Sequence, residues 1–139
     1  MRTAVIYSGQ ARTFAQTFPN QYWHLLRRLP SPTFFVSVAN DAQAVSMNLL
    51  RDRFDHVHLE VVDQPQIPEP PPDPKWLAMY PPSSSPQAIL RQLWSLNRAW
   101  HFFQENADEE VFDLVVRIRP DLAFARFEMP DLTFWSTSR

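Results

Sequence analysis

Two polar clusters stand where strands are expected to end. The first is Ser8-Gly9-Gln10-Ala11-Arg12-Thr13, directly after the apolar run Ala4-Val5-Ile6-Tyr7. Gly9 is the only glycine in the 139 residues, and glycine permits positive φ and close approach of backbone to a ligand. A strand, a tight turn carrying a hydroxyl, an amide and a guanidinium, and then a helix is a layout that presents backbone N–H groups to a phosphate. The same layout also describes a plain strand-to-helix turn. The second cluster is Arg117-Ile118-Arg119-Pro120-Asp121, at the end of the apolar run that starts at Phe112. Strand alternation puts Val115, Arg117 and Arg119 on one face and Val116 and Ile118 on the other. Two guanidiniums on a predicted central strand call for anionic partners, because burying an unpaired charge is costly. A diphosphate would meet both through bidentate, charge-assisted hydrogen bonds. Ion pairs with Asp41, Asp113 or Asp121, or simple exposure at the strand end, would satisfy them as well. Asp121 is a candidate ligand for Mg²⁺ or Mn²⁺, which take one or two protein carboxylates and complete the shell with water and phosphate oxygens; a Pro-Asp pair is also an ordinary turn.

Three further groups invite chemistry. Asn40 and Asp41 follow the second apolar run, and ligands of open parallel sheets bind outside the carboxyl ends of strands. His56 and His58 would share a strand face, compatible with joint metal binding, yet no third ligand is evident, and an edge or surface placement accounts for them equally. Trp76 and Tyr80 lie in a proline-rich stretch, where they would stack on a base or sugar ring or pack the loop down. Trp94, Trp100, Phe102 and Phe103 are read as core, because they fall in a helical stripe.

The elements that must position these residues alternate. Thr3 to Tyr7 reads as a buried strand; a helix follows, starting near Pro19, which suits a first turn, and carrying Phe18, Tyr22, Leu25, Leu26 and Leu29. Thr33 to Val38 is a second strand, and 42–54 a second helix with Val45, Leu49 and Phe54 inward. His56 to Val62 is a third strand. From Pro65 to Pro86 nine residues are proline, which forbids helix interiors and central strands and predicts a long binding loop or lid. Ser84 and Gln87 suggest a capping box opening a helix with Leu90, Leu93, Trp94, Asn97 and Trp100 or His101 as its stripe. Phe112 to Ile118 is the fourth strand. Strand, helix, strand, helix, strand, long loop, helix, strand implies an α/β, three-layer sandwich: one domain over 1–139, with a mostly parallel sheet of about four strands and right-handed crossovers.

Composition narrows the partners. A net charge of −2 and a pI near 6.0 give no global drive toward nucleic acid. Cysteine is absent, so disulfides, thiolate metal sites and a cysteine nucleophile are excluded. The amino-terminal apolar run is too short for a signal sequence or a membrane span, which predicts a cytoplasmic protein with no integral membrane segment.

Taken in order, Arg2 to Phe14 with its Ser-Gly-Gln-x-Arg turn, Pro19-Asn20, Thr33 to Val38, Gln92 to Leu96, and Phe112 to Phe124 with Arg-x-Arg-x-Asp resemble a set of bacterial and viral glycosyltransferase-like proteins of the GT-A type. The resemblance implies the Rossmann-like half of a GT-A fold and a nucleotide-sugar donor site for hexosyl transfer in polysaccharide or glycan synthesis. It implies that Ser8, Gly9, Gln10 and Arg12 lie near the nucleotide, with Arg117 and Arg119 serving phosphate or structural pairing. Asn40 and Asp41 would sit near the base or ribose, and Asp121 at the place of the divalent-metal aspartate. Arg119 stands where a full Asp-x-Asp would have its first carboxylate, and the chain ends soon after the motif. The expectation is therefore a donor-binding portion lacking the carboxyl-terminal half for a glycan acceptor, with uncovered apolar surface that favours a homo-oligomer. Competing readings are a sulfotransferase-like or other phosphate-binding enzyme, and a non-catalytic glycan- or protein-binding domain. No lysine follows the turn and no second glycine is available, so a Walker-type loop is absent.

Overall fold

The computed structural model describes residues 1–68, 75, 85–108, 110–126 and 128–131. Trp76, Tyr80 and Ser84 lie outside them. Four strands, β1 (Thr3–Gly9), β2 (Pro32–Ala39), β3 (Val57–Val62) and β4 (Leu114–Ile118), form one sheet in the order β3-β2-β1-β4. Every pairing is parallel, with Tyr7 opposite both Val36 and Ile118. Helix α1 (Phe14–His24) and a 3₁₀ helix (Ala44–Asp52) pack on one face, and helix α2 (Pro86–Asn106) on the other, giving the α/β three-layer arrangement.

The alternation of β1 divides the core. Val5 and Tyr7 face the α1 side with Phe14, Phe18, Leu26, Phe34, Met47 and Leu50. Ala4 and Ile6 face the α2 side with Phe35, Ala99 and Phe102. Because the two faces are equally covered, β1 and β2 read as continuous apolar runs.

Several elements depart from the sequence expectation. α1 begins at Phe14 rather than near Pro19, and Pro19 lies inside it. Burial of Phe14 and Phe18 on one stripe outweighs the missing proline N–H. The segment after β2 is 3₁₀ rather than α-helical, and its buried residues, Ala44, Met47 and Leu50, recur every three positions, as a helix of three residues per turn requires. Val45 therefore faces water at 72% exposure, while Leu49 and Phe54 are partly buried against the core.

α2 is rotated from its expected orientation. Its buried residues are Ser95, Ala99 and Phe102, while Leu90, Leu93 and Trp100 are exposed. Small residues at 95 and 99 let the helix lie close on a sheet layer already filled by Phe35 and Phe112. Of the aromatics read as core, Phe102 is buried and Phe103 packs against it; Trp100, at 45% exposure, is not core. Its amino end is capped by Ser85, whose Oγ accepts from the Ala88 N–H at 3.0 Å, and Pro86 opens the first turn. Ser84, the other half of the expected capping box, lies outside the described residues, and Gln87 donates Nε2 to the Ile67 carbonyl.

The chain order has one consequence for function. From β1 the chain builds outward through β2 to β3 and then returns to place β4 on the opposite side of β1. The strand order reverses between β1 and β4, and their carboxyl ends flank the crevice where open α/β sheets bind ligands.

Candidate functional site

At that crevice the turn after β1 meets the end of β4. Gly9 has φ +103°, and a Cβ there would touch nothing within 4 Å. Backbone conformation, not crowding, therefore selects glycine at this position. Arg12 also has positive φ, at 36°, which side-chain-bearing residues adopt only with strain. The two left-handed residues fold 9–12 into a tight loop, closed by the Phe14 N–H on the Ala11 carbonyl at 2.8 Å. Ala11 is fully buried beneath it. Arg12 Nε donates to Gln10 Oε1 at 2.7 Å, so the two side chains hold each other.

Register carries the second rim. Arg117 lies opposite Ile6, and side-chain alternation places it on the α2 face beside Ser8; its Nη2 donates to Ser8 Oγ at 3.3 Å. The segment beyond β4 is held by polar groups of α1. Gln21, fully buried, donates Nε2 to the carbonyls of Arg119, Pro120 and Leu122 at 3.2, 3.0 and 2.7 Å. Its Oε1 accepts from the Tyr7 hydroxyl at 2.7 Å. Thr17 Oγ1 donates to the Pro120 carbonyl at 2.6 Å, and Asn20 exchanges two hydrogen bonds with the backbone of Phe124, at 2.9 and 2.7 Å. Burial pushes the Tyr7 phenol well above its ordinary range, so it stays a neutral donor. Beside these contacts the chain turns at 119–122, with the Leu122 N–H on the Arg119 carbonyl at 3.2 Å.

The result is a cleft of about 170 Å³ lined by residues of three elements. Ser8, Gly9, Gln10 and Arg12 form one rim, Arg117, Arg119 and Asp121 the other, and Arg91, Gln92 and Ser95 of α2 the roof, with Gln64 beside them. Gln64 Nε2 donates to Ser95 Oγ at 3.0 Å. Four guanidiniums and one carboxylate line the cleft, a formal excess of three positive charges on a chain whose net charge is −2. Concave surfaces with an excess of one sign of charge focus potential and concentrate counter-ions, so the electrostatics of this recess favour an anion over a cation.

β4 is an edge strand, not the central one expected. Arg117 and Arg119 therefore keep water access, and burial alone does not oblige them to find an anion. Arg119 has an internal partner: Nε and Nη2 donate to Asp121 Oδ1 and Oδ2 at 3.1 and 3.0 Å. Asp113 is not its partner; it accepts instead from the Arg2 N–H at 2.8 Å, tying the starts of β1 and β4.

Asn40 and Asp41 do not line the cleft. Asn40 donates Nδ2 to Asp63 Oδ1 at 3.0 Å, and Asp41 Oδ1 accepts the Gln43 N–H at 2.8 Å, forming the turn into the 3₁₀ helix. His58 lies flat on Phe35, ring centroids 5.0 Å apart, and His56 is exposed at the start of β3. Among the described residues no group of three or more His, Cys, Asp or Glu side chains is placed to hold a metal.

The residues present do not by themselves fit the divalent cation that the resemblance implies. Asp121 is the one carboxylate among the lining residues, and both its oxygens already accept from Arg119. A hard cation would have to displace a guanidinium and then sit beside it.

Sequence reasoning missed Gln21, Thr17, Asn20, Gln64 and Arg91. For Gln21 a signal existed: it follows Phe14 and Phe18 at i+7 and i+3, on the buried stripe, where a polar side chain must find partners. Arg91 carried none until the inward face of α2 was known. No helix among the described residues is long and apolar enough to cross a membrane. No protein-family model matches the chain, and neither a curated protein nor a solved structure matches it.

Proposed function

We propose that the cleft binds the diphosphate of a nucleotide-sugar, and that the chain is the donor-binding part of a glycosyltransferase-like protein acting in polysaccharide or glycan synthesis. The observation that carries this reading is the approach of Ser8 and Arg117, 109 positions apart in sequence, which puts the Ser-Gly-Gln-x-Arg turn and the Arg-x-Arg-x-Asp segment on facing rims of one basic cleft at the switch point of the sheet. Chemically, guanidiniums fixed there would stabilise the negative charge that gathers on a departing nucleoside diphosphate as the glycosidic bond breaks, without reorganising at the moment of reaction. A cleft of about 170 Å³ is smaller than the several hundred Å³ that enclose a drug-sized ligand. It suits the two phosphates, with sugar and base extending along its open side.

Calorimetric titration of UDP- and GDP-sugars into the folded chain tests the proposal. Binding to one of them is expected, and Arg117→Ala should weaken it by about tenfold or more, the loss of one charge-assisted contact. No binding to any nucleotide would end the reading. The exposure of Leu90, Leu93 and Trp100 on the outer side of α2 favours one alternative, a non-catalytic glycan- or protein-binding domain. That alternative predicts indifference to nucleotides and to Arg117→Ala.

A further inference from the structure

We propose that the guanidiniums of Arg12, Arg91 and Arg117 supply the charge neutralisation that a divalent cation would otherwise bring, and that Asp121 acts as the counter-ion of Arg119 rather than as a metal ligand; this rests on the diphosphate reading of the cleft. Both oxygens of Asp121 are engaged in parallel by one guanidinium, at 3.1 and 3.0 Å, the fork-on-carboxylate geometry that is strongest for such pairs. A dication at Asp121 would break two charge-assisted hydrogen bonds and face an adjacent like charge, with no second carboxylate among the described residues that line the cleft to compensate.

The other three guanidiniums are differently placed. Arg117 meets only a serine hydroxyl at 3.3 Å, and Arg12 a neutral amide oxygen at 2.7 Å. Arg91 makes no ion pair among the described residues. None of the three meets a carboxylate among the described residues, and they come from three separate elements: the β1 turn, α2 and β4. A diphosphate carries two to three negative charges spread over two tetrahedral groups. Three planar forks converging from different sides can match it bidentately, whereas a single phosphate would leave part of the positive excess unanswered.

The test uses inorganic pyrophosphate and UDP as probes, titrated into the full chain in excess EDTA and again in excess Mn²⁺. Affinity in EDTA is expected to equal or exceed that in Mn²⁺, since the ion reduces the charge of the ligand. Arg91→Gln should weaken pyrophosphate by about tenfold. Asp121→Asn should retain or tighten binding, and should steepen its dependence on salt, because it adds one unpaired positive charge. Binding that appears only with Mn²⁺, or that is lost in an Asp121→Asn variant melting like the wild type, would overturn the inference while leaving the diphosphate reading intact. If Asp121→Asn does not fold, the EDTA comparison on the wild-type chain decides alone. No binding of either probe under both conditions would overturn the diphosphate reading itself, and this inference with it.

Discussion

The Tyr7 hydroxyl donates to Gln21 Oε1 at 2.7 Å inside a core that is mostly apolar. That bond orients the Gln21 amide so that its Nε2 reaches the carbonyls of Arg119, Pro120 and Leu122. Neither side chain lines the cleft, yet together they set the position of one of its rims. Tyr7→Phe leaves Gln21 Oε1 buried without its donor, so unfolding stability should fall by about 1–3 kcal/mol, read by denaturant titration. Gln21→Leu should cost more and should also lower pyrophosphate affinity, because the Arg119 carbonyl loses its anchor.

Gly9→Ala isolates backbone conformation from packing. A Cβ at this position meets nothing within 4 Å, and φ is +103°, so the whole effect comes from the left-handed backbone. The expected loss is about 1–2 kcal/mol, measured as a lower denaturation midpoint with an unchanged slope. A loss of ligand affinity should accompany it, because Ser8 and Gln10 would be re-aimed.

Glu60 and Arg98 join the β3 edge to α2. Arg98 Nε and Nη2 donate to Glu60 at 2.8 and 2.7 Å, Ser37 Oγ donates to the same carboxylate at 2.8 Å, and the Glu60 side chain is 17% exposed. Hydrogen bonding to Glu60 raises the Arg98 pKa further. Arg98→Met strands a half-buried carboxylate on one hydroxyl and should destabilise by about 1–3 kcal/mol. The double variant Glu60→Leu with Arg98→Met should lose less than the two single changes added together, a coupling that a double-mutant cycle measures directly.

Thr3 offers the opposite sign. It is fully buried in β1, and its Oγ1 is the one buried side-chain polar atom without a hydrogen-bond partner among the described residues. Valine has the same shape without the hydroxyl, so Thr3→Val should raise stability by about 1 kcal/mol, seen as a higher melting temperature.

The strands were readable because apolar and β-branched runs closed by polar clusters leave few alternatives: Thr3 to Tyr7 and His56 to Val62 were expected, and the structure has Thr3–Gly9 and Val57–Val62. The helices were less so, because counting large apolar side chains assumes that the greasiest face turns inward. In α2 the inward face is Ser95, Ala99 and Phe102, where closeness of approach governs rather than hydrophobicity. At 44–52 the period itself was wrong, three instead of 3.6. The juxtaposition of Ser8 with Arg117 followed from two local motifs plus the general geometry of parallel sheets. The edge position of β4, the roof from Arg91 and the hidden amide of Gln21 depend on how distant segments dock, information that no local window of sequence contains.

The distance along the chain between the two rims has a kinetic meaning. Ser8 and Arg117 are 109 positions apart, and β4 pairs with β1 on the side opposite β2. Closing so long a loop carries an entropic penalty that only the final native pairings offset. The basic recess therefore exists only where the fourth strand is docked, since Arg117 and Arg119 form one of its rims. An anion bound there would stabilise only molecules with β4 in place, and would raise the midpoint of unfolding by mass action.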